Sequence, residues 1–184
     1  MFRFFLLFII LNFYSPALTS IKQDIISKMQ TTNNLSFNFT QTIADKNENG
    51  ECVIQYPKKI YCEYNNSNKK IIVSDGKSLV IKNNNGNSYY FYPLKKTPLE
   101  YLLNKDYLIS KMKILEPREV GDKYLNFKFF ENNNELNIFF DKENLNLVGW
   151  QTEDIYQNLS ITFISSIKRN QKIDKRKFVL PQNK

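Results

Sequence analysis

Histidine is absent from the 184 residues. That removes Ser-His-Asp and Cys-His nucleophile systems, and every His-ligated metal site, from the available chemistry. Two cysteines fall short of a Cys₄ zinc site, and five glycines leave little for a loop that cradles phosphates. Carboxylates are present, but Glu48, Glu51 and Glu63 are expected in a turn or at strand ends, with no partner spacing that argues acid–base catalysis. Asp75-Gly76 reads as a turn before it reads as a site. What is there is a folding composition, 42% hydrophobic and 15% aromatic, with length for one domain and a sizeable core. The expectation is a binding protein with no enzyme activity, metal or cofactor.

The first twenty residues carry an address. Arg3 is a positive start, Phe4 to Phe13 is an apolar run interrupted only by Asn12, and Ser15-Pro16-Ala17-Leu18-Thr19-Ser20 is rich in small residues. That is the three-part pattern of a secretory signal peptide over residues 1–20, with cleavage after Ala17 or after Ser20. The apolar run is about half of what a bilayer-spanning helix needs, and no second long run follows. A single exported, soluble domain over residues 21–184 is expected.

Export changes the reading of charge. The net charge is +8, yet 22 of the 26 basic residues are Lys, scattered through turns and strand edges. The one cluster, Lys168-Arg169 through Lys172 and Lys175-Arg176-Lys177, is interrupted by Asp174. Nucleic acid is not expected as a partner. A solvated surface and a docking face for an acidic partner both remain open.

Ile21, Ile25 and Met29 recur at helical spacing and predict an amphipathic helix from about Leu18 to Thr31. The period then becomes two. Leu35, Phe37, Phe39, Gln41 and Ile43 alternate with Ser36, Asn38, Thr40 and Thr42. A turn at Asn47-Glu48-Asn49-Gly50 is expected next, then a hairpin of Cys52-Ile54-Tyr56 and Ile60-Cys62-Tyr64 around Pro57-Lys58-Lys59. Strands are predicted at Lys70–Ser74, Ser78–Lys82 and Ser88–Tyr92. Thr97 as N-cap with Pro98 at the first helical position predicts a short helix through Leu103, followed by a helical piece over Lys105–Lys111. Strand texture resumes at Ile114–Val120, Leu125–Phe129, Leu136–Phe140, Leu145–Trp150 and Leu159–Phe163.

No crossover helix separates these strands, so one antiparallel, meandering sheet is expected, a mostly β chain with short helices in the α+β class. Phe37, Phe39, Leu125, Phe127, Phe129, Ile138, Phe140, Leu159, Ile161 and Phe163 are expected on one side of a curved sheet. The helices are too few to cover ten strands. Either the sheet closes into a filled barrel or it stays open around something apolar.

Several strings, in order, resemble the LolA-type carriers of outer-membrane lipoproteins in Gram-negative bacteria. They are Phe37-Asn38-Phe39-Thr40-Gln41, Gly50, and Pro57-x-x-Ile60-x-Cys62-Glu63-Tyr64, which is similar to the family's Pro-x-x-Phe-x-Trp-x-Tyr hairpin. Val73-Ser74-Asp75-Gly76-Lys77-Ser78-Leu79, Pro93 with Thr97-Pro98, Gly149-Trp150 before Asp154, and Ile173-Asp174 with Phe178 complete the set. The resemblance implies an unclosed antiparallel barrel with a helical lid, working as a monomer in the periplasm. It implies acylated lipoproteins as cargo, received from an inner-membrane ABC-type release complex and passed to an outer-membrane lipoprotein receptor where one exists. The alternative is a related open-barrel module that binds lipid or senses mislocalised lipoproteins.

On that resemblance the ten residues above, with Ile54, Tyr56, Ile60, Leu79 and Ile81, are expected to line the acyl cavity, and Tyr56, Thr97, Pro98, Leu99 and Leu102 to form the lid and its latch. Two departures stand out. Tyr56 occupies the position where many relatives carry a latch arginine, and a phenol cannot make the forked contacts of a guanidinium. Cys62 stands at the family's tryptophan position and Ile60 at its phenylalanine. Alternation places Cys52 and Cys62 on one face of the hairpin, so an exported chain is expected to form a Cys52–Cys62 disulfide, with two buried free thiols as the alternative.

Overall fold

The computed structural model of the chain describes residues 16–66, 69–83, 88–132, 134–154 and 157–181. Arg3, the Phe4 to Phe13 run and Ser15, which carry most of the expected export signal, lie outside the described residues. Among the described residues no helix is long and apolar enough to cross a membrane.

Helix α1 spans Pro16–Gln30. Its Ile25, Ile26 and Met29 are buried, with Ile21 packed beside them. The Lys105 ammonium donates to the carbonyls of Gln30 at 3.0 Å and Thr32 at 2.9 Å, occupying acceptors that a helix end leaves unpaired. Then come β1 (Asn34–Ile43), β2 (Lys46–Gln55), β3 (Lys59–Tyr64), β4 (Ile71–Asp75), β5 (Ser78–Asn83) and β6 (Ser88–Pro93). Two helices follow, α2 (Leu99–Leu102) and α3 (Lys105–Ile114), and five strands end the fold: β7 (Arg118–Val120), β8 (Tyr124–Glu131), β9 (Asn134–Asp141), β10 (Leu147–Glu153) and β11 (Leu159–Arg169).

All neighbours are antiparallel, and the order is β6-β5-β4-β3-β2-β1-β11-β10-β9-β8-β7. Every pair is a sequence neighbour except β1 with β11, which closes the meander back on its start. The two edge strands, β6 and β7, share no ladder, so the barrel is unclosed as expected. The chain between those edges carries α2 and α3. Leu108, Ile109 and Met112 of α3 join Ile25 and Met29 of α1 in one core with the inner faces of the strands.

Several local expectations change. The turn after β1 is at Ala44-Asp45, with Ala44 at φ 49°, instead of Asn47–Gly50. Pairing runs unbroken from Asn34↔Gln55 to Ile43↔Lys46, so Glu48 lies in a strand. The Asn-rich string looked like a turn, but Thr42 donates its hydroxyl to Asn47 Oδ1 at 2.7 Å and the ladder absorbs it. Within that strand, position 50 has to be glycine: a Cβ there would stand 2.0 Å from the Glu63 carbonyl oxygen and 2.8 Å from the Phe39 ring. Helix α3 runs to Ile114, so the strand expected over Ile114–Val120 shrinks to Arg118–Val120. Leu145 takes a left-handed conformation, φ 57°, and β10 starts at Leu147.

Thr97 also behaves differently. The N-cap of α2 is Pro98, so the helix starts one residue later than expected, and the Thr97 hydroxyl turns back to the Leu94 carbonyl at 2.8 Å.

The largest correction is β11. Ser160, Thr162 and Ile164 point inward, whereas Leu159 and Phe163 are 50% and 48% exposed and Ile161 lies on their outer face. The pattern has period two in either case, and apolar residues were assigned inward. Register decides otherwise: Gln41 pairs with Thr162, and its amide donates to the hydroxyls of Ser160 and Thr162.

Candidate functional site: an apolar cavity with a polar wall

The inner faces of β1–β6, β10 and β11 enclose a cavity of about 460 Å³. Ligand pockets commonly measure about 300–1,000 Å³. Its apolar surface comes from Phe39, Ile60, Ile72, Leu79, Ile81, Tyr92 and Trp150, and Thr97, Pro98 and Leu99 of the lid segment border it. Cys52 and Cys62, directly paired in the ladder, are joined by a disulfide and add their sulfurs to the wall.

One wall is polar. Tyr64 donates its hydroxyl to Gln41 Oε1 at 3.0 Å, and Gln41 Nε2 donates to Ser160 Oγ at 3.2 Å and Thr162 Oγ1 at 3.1 Å. Burial, and then the Glu48 carboxylate, push the Tyr64 phenol well above its ordinary pKa, so it stays a protonated donor. Lys70 pairs with Glu48 and stands 3.8 Å over the Tyr64 ring. Glu153 and Asp154, both half-buried, also line the cavity.

The lid is short. Leu99, Leu102, Leu103 and Leu108 close over Ile54, Tyr56, Ile60, Ile138 and Trp150, leaving only a narrow space beneath. Tyr56, expected as the latch, lies under this cover, and its burial raises the phenol pKa. The charged grip comes from two residues further along the hairpin. Lys58 forms an ion pair with Glu100 of α2, and its N–H donates to the Leu103 carbonyl at 2.8 Å. The Lys58 carbonyl accepts from Ser74 Oγ at 3.1 Å, which ties the hairpin tip to β4.

Of the expected cavity residues, Phe39, Ile60, Leu79 and Ile81 border the main cavity, while Ile54, Tyr56 and Ile138 lie under the lid. Phe37 is buried edge-on to Trp150, with ring centres 6.2 Å apart. Leu125, Phe127, Phe129 and Phe140 do not reach the main cavity: they are sealed in the core with Ile25, Leu108 and Met112, because α1 and α3 fill that half of the barrel. Leu159, Ile161 and Phe163 fall on the outside. Of the expected lid residues, Thr97, Pro98 and Leu99 border the main cavity and Leu102 the space below. The lining residues missed include Ile72, Tyr92 and Trp150 and the polar Gln41, Tyr64, Ser160 and Thr162. Gln41 and Tyr64 had a visible signal, since each occupied the inward phase of its strand's alternation.

An unclosed antiparallel barrel whose unfilled apolar cavity sits under a short helical lid defines a class of binding protein for apolar ligands. The chain belongs to the LolA family: the family described as "Outer membrane lipoprotein carrier protein LolA" matches residues 30–181. Members of that family are lipid- or lipoprotein-binding modules, typically outside the cytoplasm. No curated protein matches the chain. Similar solved structures include a LolA superfamily protein of Nitrosomonas europaea, at 10% identity over 89% of this chain and 97% of that one, TM-score 0.44. LprF of Mycobacterium bovis is 12% identical over 87% and 96%, TM-score 0.49. A putative outer membrane lipoprotein-sorting protein domain of Vibrio parahaemolyticus is 6% identical over 89% and 96%, TM-score 0.49.

Proposed function

We propose that the chain is a periplasmic, non-enzymatic carrier that takes the acyl chains of lipoproteins leaving the inner membrane and delivers them to the outer membrane. The observation that carries this reading is the cavity itself, an unfilled apolar space inside an otherwise sealed core. Each buried methylene is worth roughly 0.8 kcal/mol, so a sixteen-carbon chain opposes entry into water by about 12 kcal/mol. A carrier must offset that cost and still release its cargo. The lid suits both needs: apolar contact covers the lower space, and a few polar ties hold the cover down, the Lys58–Glu100 ion pair, the Lys58 N–H on the Leu103 carbonyl and the Asn132 amide on the Tyr101 hydroxyl.

In this reading residues 1–20 are the export signal, the donor is an ABC-type release complex and the acceptor an outer-membrane receptor or the membrane. The test is transfer of a triacylated lipopeptide from donor to acceptor vesicles. The rate is expected to rise in proportion to added chain. A rate unchanged by folded chain would contradict the carrier role.

A further inference from the structure

The cavity's polar wall is what a plain hydrocarbon container would lack. Ser160 and Thr162 are 4% and 3% exposed and border the same space as Phe39, Ile72 and Leu79. Both hydroxyl oxygens accept from one nitrogen, Gln41 Nε2, and the Gln41 oxygen is taken by the Tyr64 hydroxyl. The amide therefore has its nitrogen toward β11 and its oxygen toward β3. A hydroxyl has one proton besides its lone pairs. Among the described residues, neither Ser160 nor Thr162 has an acceptor for that proton. Two buried donors are thus left facing a cavity that is otherwise largely apolar, an arrangement that costs free energy until an acceptor arrives.

The nature of the acceptor follows from the surrounding charge. Lys70 is already paired with Glu48, and the Glu153 carboxylate adds negative charge to the lining. An anionic headgroup gains little there, whereas a neutral oxygen acceptor next to hydrocarbon meets every requirement. Resting on the acyl-cavity reading, we propose that the Gln41–Ser160–Thr162 cluster receives the ester carbonyls of a diacylglyceryl group. The cavity then reads the ester-linked root of the lipid as well as its chains. Gln41 acts as the positioning residue, since it fixes both hydroxyls by their lone pairs and leaves their protons free to donate.

The experiment compares a dipalmitoyl-glyceryl lipopeptide with its dihexadecyl ether analogue, which keeps the chains and loses the carbonyls. Binding is followed by Trp150 fluorescence, because this single tryptophan borders the cavity. The unaltered chain is expected to prefer the ester by about tenfold, the scale of two neutral hydrogen bonds. In Ser160→Ala/Thr162→Val the ester-to-ether ratio should fall toward one, and Thr162→Ser should keep the preference. Equal binding of ester and ether by the unaltered chain would overturn the proposal, as would a ratio that survives the double substitution. If the double variant fails to fold, Ser160→Ala alone must give an intermediate ratio or the proposal falls. Binding of neither ligand by folded chain would remove the acyl cavity itself, and this proposal with it.

Discussion

The two halves of the sheet follow one alternation and end in opposite states. In β8 and β9 the inward residues Leu125, Phe127, Leu136, Ile138 and Phe140 are sealed, and they share a core with Ile25, Leu108 and Met112 of α1 and α3. In β3 to β5 the inward residues Ile60, Ile72, Leu79 and Ile81 face open space instead. The strands are equally apolar in both halves. What differs is the cover: two helices of ten and fifteen residues fill one side, and four residues of α2 roof the other. A strand pattern therefore tells which face is inward, and the helices decide whether that face becomes core or site.

The contrast is broken most strongly by truncating one side chain in each half. Phe127→Ala should destabilise the fold by about 3–5 kcal/mol, because it opens a void in packed core. Ile72→Ala, at a wall that already faces space, should cost about 1 kcal/mol or less and instead weaken lipopeptide binding severalfold. Denaturant unfolding measures the first and fluorescence titration the second; equal stability losses would erase the distinction between the halves.

Replacing both cysteines by alanine should cost about 2–3 kcal/mol, since the bridge closes a loop of ten residues' separation in the unfolded chain. Mass spectrometry of the denatured, unreduced chain should find no uptake of alkylating agent at Cys52 or Cys62.

A smaller effect is expected at the lid. Lys58→Met removes the ion pair to Glu100 and leaves the backbone bond to Leu103. Stability should change by about 1 kcal/mol or less, as for other part-exposed pairs. Dissociation of a bound apolar dye, followed by stopped flow, should accelerate severalfold.

The smallest effect concerns acid and the filled half. The Tyr107 hydroxyl first, and Lys111 second, hold the Glu131 carboxyl below its ordinary value of 4.5 and so tie α3 to β8. A depressed folded pKa means that this contribution is present above the unfolded value and is lost as pH falls through the folded one. Glu131→Gln should be slightly less stable than the unaltered chain at neutral pH and should approach it on acidification below about pH 4.5. Thermal unfolding across that range checks it.

Much of this was legible in advance, for physical reasons. Strict alternation from Leu35 to Ile43 and the proline-centred hairpin at Tyr56-Pro57-Lys58 define their strands locally, and the absence of crossovers defines the meander. That Cys52 and Cys62 share one face followed from the same alternation, and the register of the ladder sets them directly opposite. The site was only half legible. Leu159, Ile161 and Phe163 were placed inward because hydrophobicity is the usual guide to a face, and the register of β11 against β1 inverts it. Lys58 with Glu100 was invisible because 42 residues separate them, and nothing local to either marks the other. Which half would be filled depended on where α1 and α3 dock, a property of the assembled fold.

The central claim is that the open half is a site for acyl chains. The most direct measurement is titration of the chain with a triacylated lipopeptide and with the same peptide lacking its acyl chains, reading Trp150 emission and displacement of an apolar dye. Saturable binding of the acylated form alone, with dye released, is the expected result. Binding of neither form by a chain with native circular dichroism would contradict it, and would make the open half a feature of packing instead of a site.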